Sequence, residues 1–434
     1  MTPTTAGLLG ICILMGLMFL RMPVGFSMAI VGFVGFASLV TFDAATSMAV
    51  NDIFSAFGSY NLTVIPLFVF MGQVAFHAGI SSRLFHAAYN IMGHWRGGLA
   101  MATIGACAGF AAICGSTNAT AATMASVALP EMKKYNYKPE LATGVIAAGG
   151  SLGILIPPSV IFIVYGIMTE QSIGKLFISG IIPGIILSAM FCITIWIWTY
   201  LKPDLGPRGP KTTLREKFFA LTGVAETLLI FFAVIGGMFV GFFTPTEAAA
   251  VGAFATLVLA LSGRNLSWSG LVQSLAETTR ISCMILVIVA GAVIFGHFLA
   301  ITRIPFDIAG WIADLHWPPY AVMMMIILIY LIGGCFLDAL ALIMLTVPIF
   351  YPVVLQMGYD PIWFGVIIVL VTQMGVLTPP VGVNVYVVSG VARDVPLHVI
   401  FRGVLPLLLA ILLLSLLLIP FPQIALFLPQ LMGP

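Results

Sequence analysis

Two double-proline stretches place oxygen-bearing groups at interruptions of otherwise apolar segments. The first reads Gly153-Ile-Leu-Ile-Pro-Pro-Ser159 and the second reads Gly375-Val-Leu-Thr-Pro-Pro380. Because proline lacks a backbone N–H and clashes with the preceding turn, each pair should interrupt a helix and leave carbonyl oxygens unpaired. Sodium is a hard cation, and carbonyl and hydroxyl oxygens can bind it without a buried fixed charge. The residue types favour cation binding, although a packed proline kink would explain an isolated pair.

Two short polar stretches also divide apolar segments in the middle. They are Cys114-Gly-Ser-Thr-Asn-Ala-Thr120 and Gly333-Gly-Cys-Phe-Leu-Asp338. Each leaves two halves of roughly 15 residues, shorter than the ~20 residues that a membrane crossing requires. The first segment is also basic at both ends, although the ends of a spanning helix should face opposite compartments. We therefore predict re-entrant helical hairpins at about 98–130 and 319–351.

The composition identifies the environment of these elements. Hydrophobic residues make up 61% of the chain, charged residues 7%, and the mean hydropathy is +1.15, which indicates an all-α integral membrane protein. A membrane barrel would alternate apolar and polar residues, whereas 404–418 is apolar on every face. The net charge of +2 does not suggest nucleic-acid binding, and the six cysteines lack metal-ligand spacing. We find no nucleotide-binding motif, so no nucleotide cofactor is expected.

The basic residues predict the topology. If each hairpin counts as no crossing, Arg21, the cluster Lys133, Lys134 and Lys138, the loop 202–217, Arg264 and Arg393 all fall on one side. The positive-inside rule makes that side the cytoplasm. The chain should then be a multi-pass protein of the bacterial cytoplasmic (inner) membrane with both termini in the periplasm. No positive charge precedes the first apolar run, which argues against a cleaved signal peptide.

The chain also matches itself at an offset of 222 positions. Pro157-Pro158 falls on Pro379-Pro380, Pro139 on Pro361, and His94-Trp95 on His316-Trp317. An odd number of crossings per half gives the halves opposite orientations, so we predict an inverted-topology repeat. Its first unit, 1–217, holds the hairpin 98–130 and a broken helix at 139–168, and its second, 218–434, holds 319–351 and 361–391. In such folds the matched breaks form the substrate and ion site.

Several motifs, in the same order, resemble the large membrane subunit of TRAP transporters, the tripartite ATP-independent periplasmic type. They are Gly115-Ser-Thr-Asn-Ala-Thr120, Leu129-Pro-Glu-Met-Lys-Lys134, Ile156-Pro-Pro-Ser159, Gly241-Phe-Phe-Thr-Pro-Thr-Glu-Ala-Ala-Ala-Val-Gly252, Gly334-Cys-Phe-Leu-Asp338 and Leu377-Thr-Pro-Pro-Val-Gly-Val-Asn384. The resemblance implies a permease for sodium-coupled import of an organic acid by an elevator movement. It also implies two partners, a small four-helix membrane subunit and a periplasmic substrate-binding protein.

The resemblance further implies two sodium sites. One would lie between Gly115, Ser116 and Asn118 at the first hairpin tip and the break at Gly153 and Pro157. The other would lie between Asp338 and the break at Gly375, Thr378 and Pro379. The Ser-Thr-Asn tip is more polar than the Ser-Gly-Pro type common in the family. We assign Ser159 and Asn384, further oxygen donors near the breaks, to substrate binding.

Three charged residues have alternative interpretations. Asp338 lies in a predicted membrane segment, where an ionised group is usually functional, although a water-filled hairpin mouth would also accept it. Arg303 could bind a substrate carboxylate bidentately or anchor at the lipid headgroups. Glu247 could cap a helix or contact a partner. The stretches 81–93 and 304–315 are amphipathic at helical spacing and should lie along the membrane surface.

Two other functions fit parts of the pattern. A stand-alone sodium-coupled carboxylate transporter of similar fold would need no binding protein. A membrane enzyme would need clustered acid and base residues, whereas the fifteen acidic residues are dispersed, so we do not expect an enzyme. The sequence leaves the organic acid open, with sialic acid and C4-dicarboxylates among the candidates.

Overall fold

The computed structural model describes residues 2–209, 213–314 and 317–432, and no residue in those ranges belongs to a strand. The helices of the first half are α1 (Pro3–Phe19), α2 (Val24–Leu39), α3 (Phe42–Gly58), α4 (Val64–His77), α5 (Ile80–Met92), α6 (Gly98–Cys114), α7 (Thr117–Lys134), α8 (Pro139–Ser151), α9 (Val160–Met168) and α10 (Ile173–Leu201). A proline occupies the first position of α1 and α8, where its missing N–H costs nothing.

The second half repeats this order. Its helices are α11 (Leu214–Phe231), α12 (Gly237–Phe239), α13 (Pro245–Ser262), α14 (Trp268–Thr302), α15 (Ile304–Asp314), α16 (Pro319–Gly334), α17 (Ala339–Gln356), α18 (Pro361–Gly375), α19 (Val383–Val391), α20 (Leu397–Leu418) and α21 (Gln423–Leu431). A π-helical turn, Phe232–Gly236, joins α11 to α12.

Helix boundaries match at the offset found in the sequence. α7 and α17 both have 18 residues and begin 222 positions apart, as do the starts of α8 and α18. The Pro157–Pro158 and Pro379–Pro380 bonds, at equivalent positions, are both cis. Opposite orientation of the two halves in a membrane stays a prediction. His316, the predicted match of His94, lies outside the described residues, as does Lys211 of the basic loop.

Each predicted hairpin is a pair of helices joined by a short turn, and each predicted broken helix is divided. α6 and α7 form the first pair, and α16 and α17 form the second. The first break separates α8 from α9, and the second separates α18 from α19. Their re-entrant path through a membrane stays a prediction.

Six described helices are long and apolar enough to cross a membrane by length and composition. The longest is α14, with 35 residues. The chain between α3 and α4 is less regular, because the 3-10 turn Tyr60–Thr63 separates the two helices. At the equivalent place α14 is continuous, so the two halves differ there.

The helices pack as two sets connected by α5 and α15, and the first set contains α1–α4 and α11–α14. In the first set α2 and α14 approach closely, since a Cβ added to Gly32 would lie 2.7 Å from the Phe295 Cα. The second set contains both hairpins and both broken helices, with α10, α20 and α21. α5 contacts α6 of the second set and also α11, to which Arg83 and Glu226 form a salt bridge of 2.7 Å. α15 similarly contacts α17, α14 and α1.

Candidate functional site

The first hairpin tip, where α6 ends and α7 begins, lies directly against the first broken helix. A Cβ added to Gly115 would lie 2.6 Å from the Pro158 carbonyl oxygen. One added to Gly153 would lie 2.5 Å from the Ser116 carbonyl oxygen, and Pro157 is buried beside this contact. Both approaches are shorter than ordinary Cβ contacts, so the packing requires glycine at both positions. This juxtaposition is the one required by the predicted first sodium site, whose ligands stay a prediction.

Local backbone preferences create this tip. Gly115 ends α6 with φ at 65°, a left-handed conformation that other residues adopt at a cost. Ser116 then caps α7, its hydroxyl oxygen accepting the Ala119 N–H at 3.5 Å. Asn118 lies in the first turn of α7, where its amide oxygen accepts the Thr117 hydroxyl at 3.2 Å. The polar side chains of the tip therefore begin a helix directly beside the break.

The second tip makes an equivalent contact with the second break. A Cβ added to Gly334 would lie 2.8 Å from the Gly375 Cα. The Val381 N–H donates to the Cys335 carbonyl at 3.3 Å. The structure thus brings the second tip to the second broken helix, as the predicted second sodium site requires.

Asp338 begins α17 at this tip. Its carboxylate oxygens accept the Leu340 and Ala341 N–H groups, each at 3.4 Å. At the break, the Thr378 hydroxyl donates to the Met374 carbonyl at 2.6 Å, and Pro379 is exposed. Asp338 is exposed as well, and its charge is accessible to a molecule entering between the tips.

A cavity of about 330 Å³ separates the two hairpin tips and holds this carboxylate. Its lining is the first tip (114–119), Ile154, Val160 and Ile161 of the first break, residues 338–340 of the second tip, Val69 and Gln73 of α4, and Ile281, Met284, Ile285 and Ile288 of α14. Asp338 is the one Asp, Glu, Lys, Arg or His in this lining, all of which is described by the structure. The cavity therefore lies between the two helix sets and carries a negative charge.

The backbone of the two breaks can supply cation ligands. Among the described residues, no hydrogen bond ends on the carbonyl oxygens of Pro157, Pro158, Thr378 or Pro379. The same part of the chain has no group of three His, Cys, Asp or Glu side chains that could hold a metal. Unpaired carbonyl oxygens, hydroxyl groups and one carboxylate suit a hard cation such as sodium better than a transition metal. The donor set thus fits the predicted ion.

None of the three candidates for substrate binding, Ser159, Asn384 and Arg303, lines this cavity. The Ser159 hydroxyl is buried and donates to the Ile154 carbonyl at 2.6 Å, so it stabilises the break. The buried Asn384 donates to the Ala147 carbonyl at 3.1 Å and so connects the two broken helices.

Arg303 is also placed elsewhere. It ends α14 with φ at 62°, beyond Ile288 by four helical turns, and its side chain is exposed. The rise of an α-helix, ~1.5 Å per residue, puts this end roughly 20 Å from the cavity. The geometry gives no support to our assignment of Arg303 to the substrate.

Two glutamines were missed by the sequence reasoning. Gln73 lines the cavity from α4. Gln373 is fully buried in α18, and neither its amide oxygen nor its amide nitrogen has a partner in the described chain. Such a group usually bonds to water or an ion. The sequence does mark Gln373 as a candidate site residue, because this polar side chain lies six residues before the second double proline in an otherwise apolar run.

Glu247 has a local role. Its carboxylate accepts the Thr244 N–H at 2.9 Å, while the Thr244 hydroxyl oxygen accepts the Glu247 N–H at 3.3 Å. This reciprocal pair is a capping box that begins α13. The geometry supports the capping interpretation.

Comparisons with known proteins agree with this architecture. The family model described as tripartite ATP-independent periplasmic transporter, DctM component, matches residues 11–424. The C4-dicarboxylate TRAP transporter large permease protein DctM of Pseudomonas aeruginosa is 36% identical, over 90% of this chain and 91% of that protein. The sialic acid TRAP transporter large permease protein SiaM of Vibrio cholerae is 36% identical, over 96% and 97%.

A solved structure supports the fold independently of sequence. The Alcanivorax borkumensis YdaH transporter superposes with a TM-score of 0.63 at 14% identity, covering 89% of this chain and 90% of that one. Identity this low indicates a shared fold alone. The family match and the relatives extend over nearly the whole length. The chain is therefore a large permease protein of the DctM component family of tripartite ATP-independent periplasmic transporters.

Proposed function

We propose that this chain imports organic acids across the bacterial cytoplasmic membrane, coupled to sodium. The observation that carries the proposal is the cavity between the two hairpin tips, with Asp338 and no cationic side chain in its lining. A substrate carboxylate entering next to an ionised Asp338 would meet like charge in a region of low dielectric. Bound sodium ions would remove that repulsion, so substrate binding should depend on them.

The two ions would occupy equivalent places, each between a hairpin tip and the break behind it. The first would use oxygens near Gly115, Ser116 and Pro158, and the second those near Gly375 and Thr378. Asp338 would stabilise the cations by its charge. The substrate would lie between the tips, in contact with polar groups such as Asn118 and Gln73.

Transport would follow from movement of one helix set past the other. The second set carries both tips and both breaks, so substrate and ions would move together. α4 and α14 of the first set form one wall of the cavity and would remain in place. α5 and α15 contact both sets and could guide the movement as arms. This is an elevator mechanism.

The family membership supports two partners, a periplasmic substrate-binding protein and a small four-helix membrane subunit. The substrates in the names of two relatives, C4-dicarboxylates and sialic acid, are carboxylates. We infer a small organic acid carboxylate as the substrate of this chain.

The test is uptake of labelled C4-dicarboxylate and sialic acid into liposomes that contain the complex, with its binding protein, under a sodium or a choline gradient. Asp338→Asn removes the charge and keeps a side chain that caps a helix well. It should weaken the apparent sodium affinity about ten-fold or more.

Asp360→Asn is the matched control, because Asp360 also caps a helix, α18, and does not line the cavity. Equal uptake under the sodium and the choline gradient would refute the coupling of transport to sodium. Full uptake without the binding protein would favour a stand-alone transporter. Equal sodium affinity in the two variants would remove Asp338 from the proposed mechanism.

A further inference from the structure

A second cavity, of about 860 Å³, lies on the predicted cytoplasmic side, away from the hairpin tips. It is bounded by the turn between α5 and α6, by the C-terminal part of α10, and by the segment that follows α10. Its lining is Met92, His94, Trp95, Arg96, Met101, Cys192, Ile193, Trp196, Tyr200 and Arg208. The transport mechanism proposed above uses none of these residues.

Backbone hydrogen bonds build the polar end of this cavity. The Gly97 N–H donates to the Gly206 carbonyl at 3.1 Å, and the Gly209 N–H donates to the Gly93 carbonyl at 3.0 Å. These bonds hold the segment that carries Arg208 against the turn between α5 and α6. The position of the Arg208 backbone beside that turn is therefore set by the fold.

Two guanidinium groups without partners face this end. Arg96 and Arg208 both line the cavity, and neither forms a hydrogen bond or ion pair with a described residue. His94 also lines the cavity, and its Nδ1 atom is buried without a hydrogen-bond partner in the described chain. The lining, all within the described ranges, contains no aspartate or glutamate. The unbalanced positive charge favours an anion.

The remainder of the cavity is apolar and aromatic. Met101, Cys192 and Ile193 provide its apolar wall. Trp196 and Tyr200 stack with ring centroids 5.9 Å apart, and they are 52% and 63% exposed. Aromatic residues of this kind are typical of the boundary between acyl chains and headgroups. An occupant should thus have an anionic head and an apolar tail.

The opposite repeat lacks both arginines and Trp196. Positions 222 residues later hold Pro318 in place of Arg96, Gln430 in place of Arg208 and Leu418 in place of Trp196. The pair of arginines therefore occurs in the first repeat and not at the equivalent positions of the second. In our predicted topology this part of the first repeat lies at the cytoplasmic face of the membrane. That leaflet has a negative surface potential, and basic pockets between helices there bind anionic headgroups.

We propose that this cavity is a binding site for an anionic phospholipid. The phosphate lies between Arg96 and Arg208, which donate charge-assisted hydrogen bonds to it, and an acyl chain follows the wall formed by α10. The lipid would connect the start of the first hairpin to the segment after α10. This proposal does not depend on sodium coupling, since it concerns different residues.

The test uses the purified full chain and native mass spectrometry, with phosphatidylglycerol and phosphatidylcholine added in parallel. The wild type should retain phosphatidylglycerol in preference to phosphatidylcholine. Arg96→Gln and Arg208→Gln should each weaken that retention about five-fold, as expected for one cation at a lipid surface. Because neither guanidinium bonds to a described residue, both variants should keep the fold. Arg264→Gln, at an exposed arginine on the same predicted face, is the control and should leave retention unchanged.

Two further measurements keep the proposal open to refutation. Trp196→Leu copies the residue of the opposite repeat and should reduce retention while leaving both arginines present. Inorganic phosphate should not displace the lipid, because it lacks the acyl chain. Equal retention of the two lipids, equal loss in Arg264→Gln, or displacement by inorganic phosphate would each overturn the assignment.

Discussion

Replacing Gly115 with alanine tests whether the contact between the first tip and the first break holds an ion. The new Cβ would lie 2.6 Å from the Pro158 carbonyl oxygen, whereas ordinary contacts begin at 3.4 Å. The tip and the break must therefore separate by about 0.8 Å, derived from these two distances. Metal sites tolerate displacements of only about 0.2 Å, so the carbonyl would no longer serve as a ligand. We expect sodium affinity to fall about ten-fold or more.

The left-handed backbone adds a separate cost. A residue with a Cβ at φ 65° loses roughly 1–2 kcal/mol relative to glycine, whether or not an ion binds. Gly79 provides the matched control, because its φ is 71° and no atom lies within 4 Å of an added Cβ. Gly79→Ala should therefore show the backbone cost alone.

The assay is thermal unfolding of each purified variant in increasing sodium chloride, with choline chloride at equal ionic strength as reference. A ligand that binds the folded state stabilises it by an amount that falls about 1.4 kcal/mol for each ten-fold loss of affinity at high ligand concentration. Gly79→Ala should keep the wild-type increase in unfolding midpoint with sodium, and Gly115→Ala should lose much of it. If Gly115→Ala keeps the full sodium-dependent increase, the first tip is not an ion site.

Two further predictions concern the residues that support the site. Ser159→Ala removes the cap of α9 and the hydrogen bond to the Ile154 carbonyl, so it should lower the free energy of unfolding by about 1–3 kcal/mol. Substrate selectivity in the uptake assay should stay unchanged. Altered selectivity would instead indicate a direct contact between Ser159 and the substrate. The Lys133 ammonium lies 2.7 Å from the Asp394 carboxylate and holds the pKa of Asp394 below its ordinary value. This exposed pair therefore stabilises the fold when the pH is above the ordinary pKa of aspartate, and the stabilisation is lost as the pH falls through the lowered pKa. The small difference in unfolding midpoint between wild type and Asp394→Asn should thus vanish at low pH, and a difference that persists there would contradict the ion-pair interpretation.

The helical architecture and the two helix pairs at the predicted hairpins followed from local properties of the chain. The length of apolar segments, the placement of charges and the effect of proline act over a few helical turns, so the sequence predicts their consequences without knowledge of tertiary contacts. The duplicated double proline, Pro157-Pro158 and Pro379-Pro380, also located both breaks to within a few residues, because two adjacent prolines remove two backbone donors and add two steric clashes within one turn. The hairpin helices begin where Ser116 and Asp338 offer caps, which is again a local effect.

The composition of the cavity was decided by packing across distant parts of the chain. Ser159 and Asn384 have the right chemistry for a substrate, but tertiary packing brings the Ile154 and Ala147 carbonyls within reach, and buried polar groups take such partners. Gln73 lines the cavity only because α4 packs across the tips, and Arg303 lies away from the cavity because α14 continues past it. Residue type and spacing predict which groups can bind an ion, whereas the direction of each side chain and its competing partners depend on helices far apart in the chain.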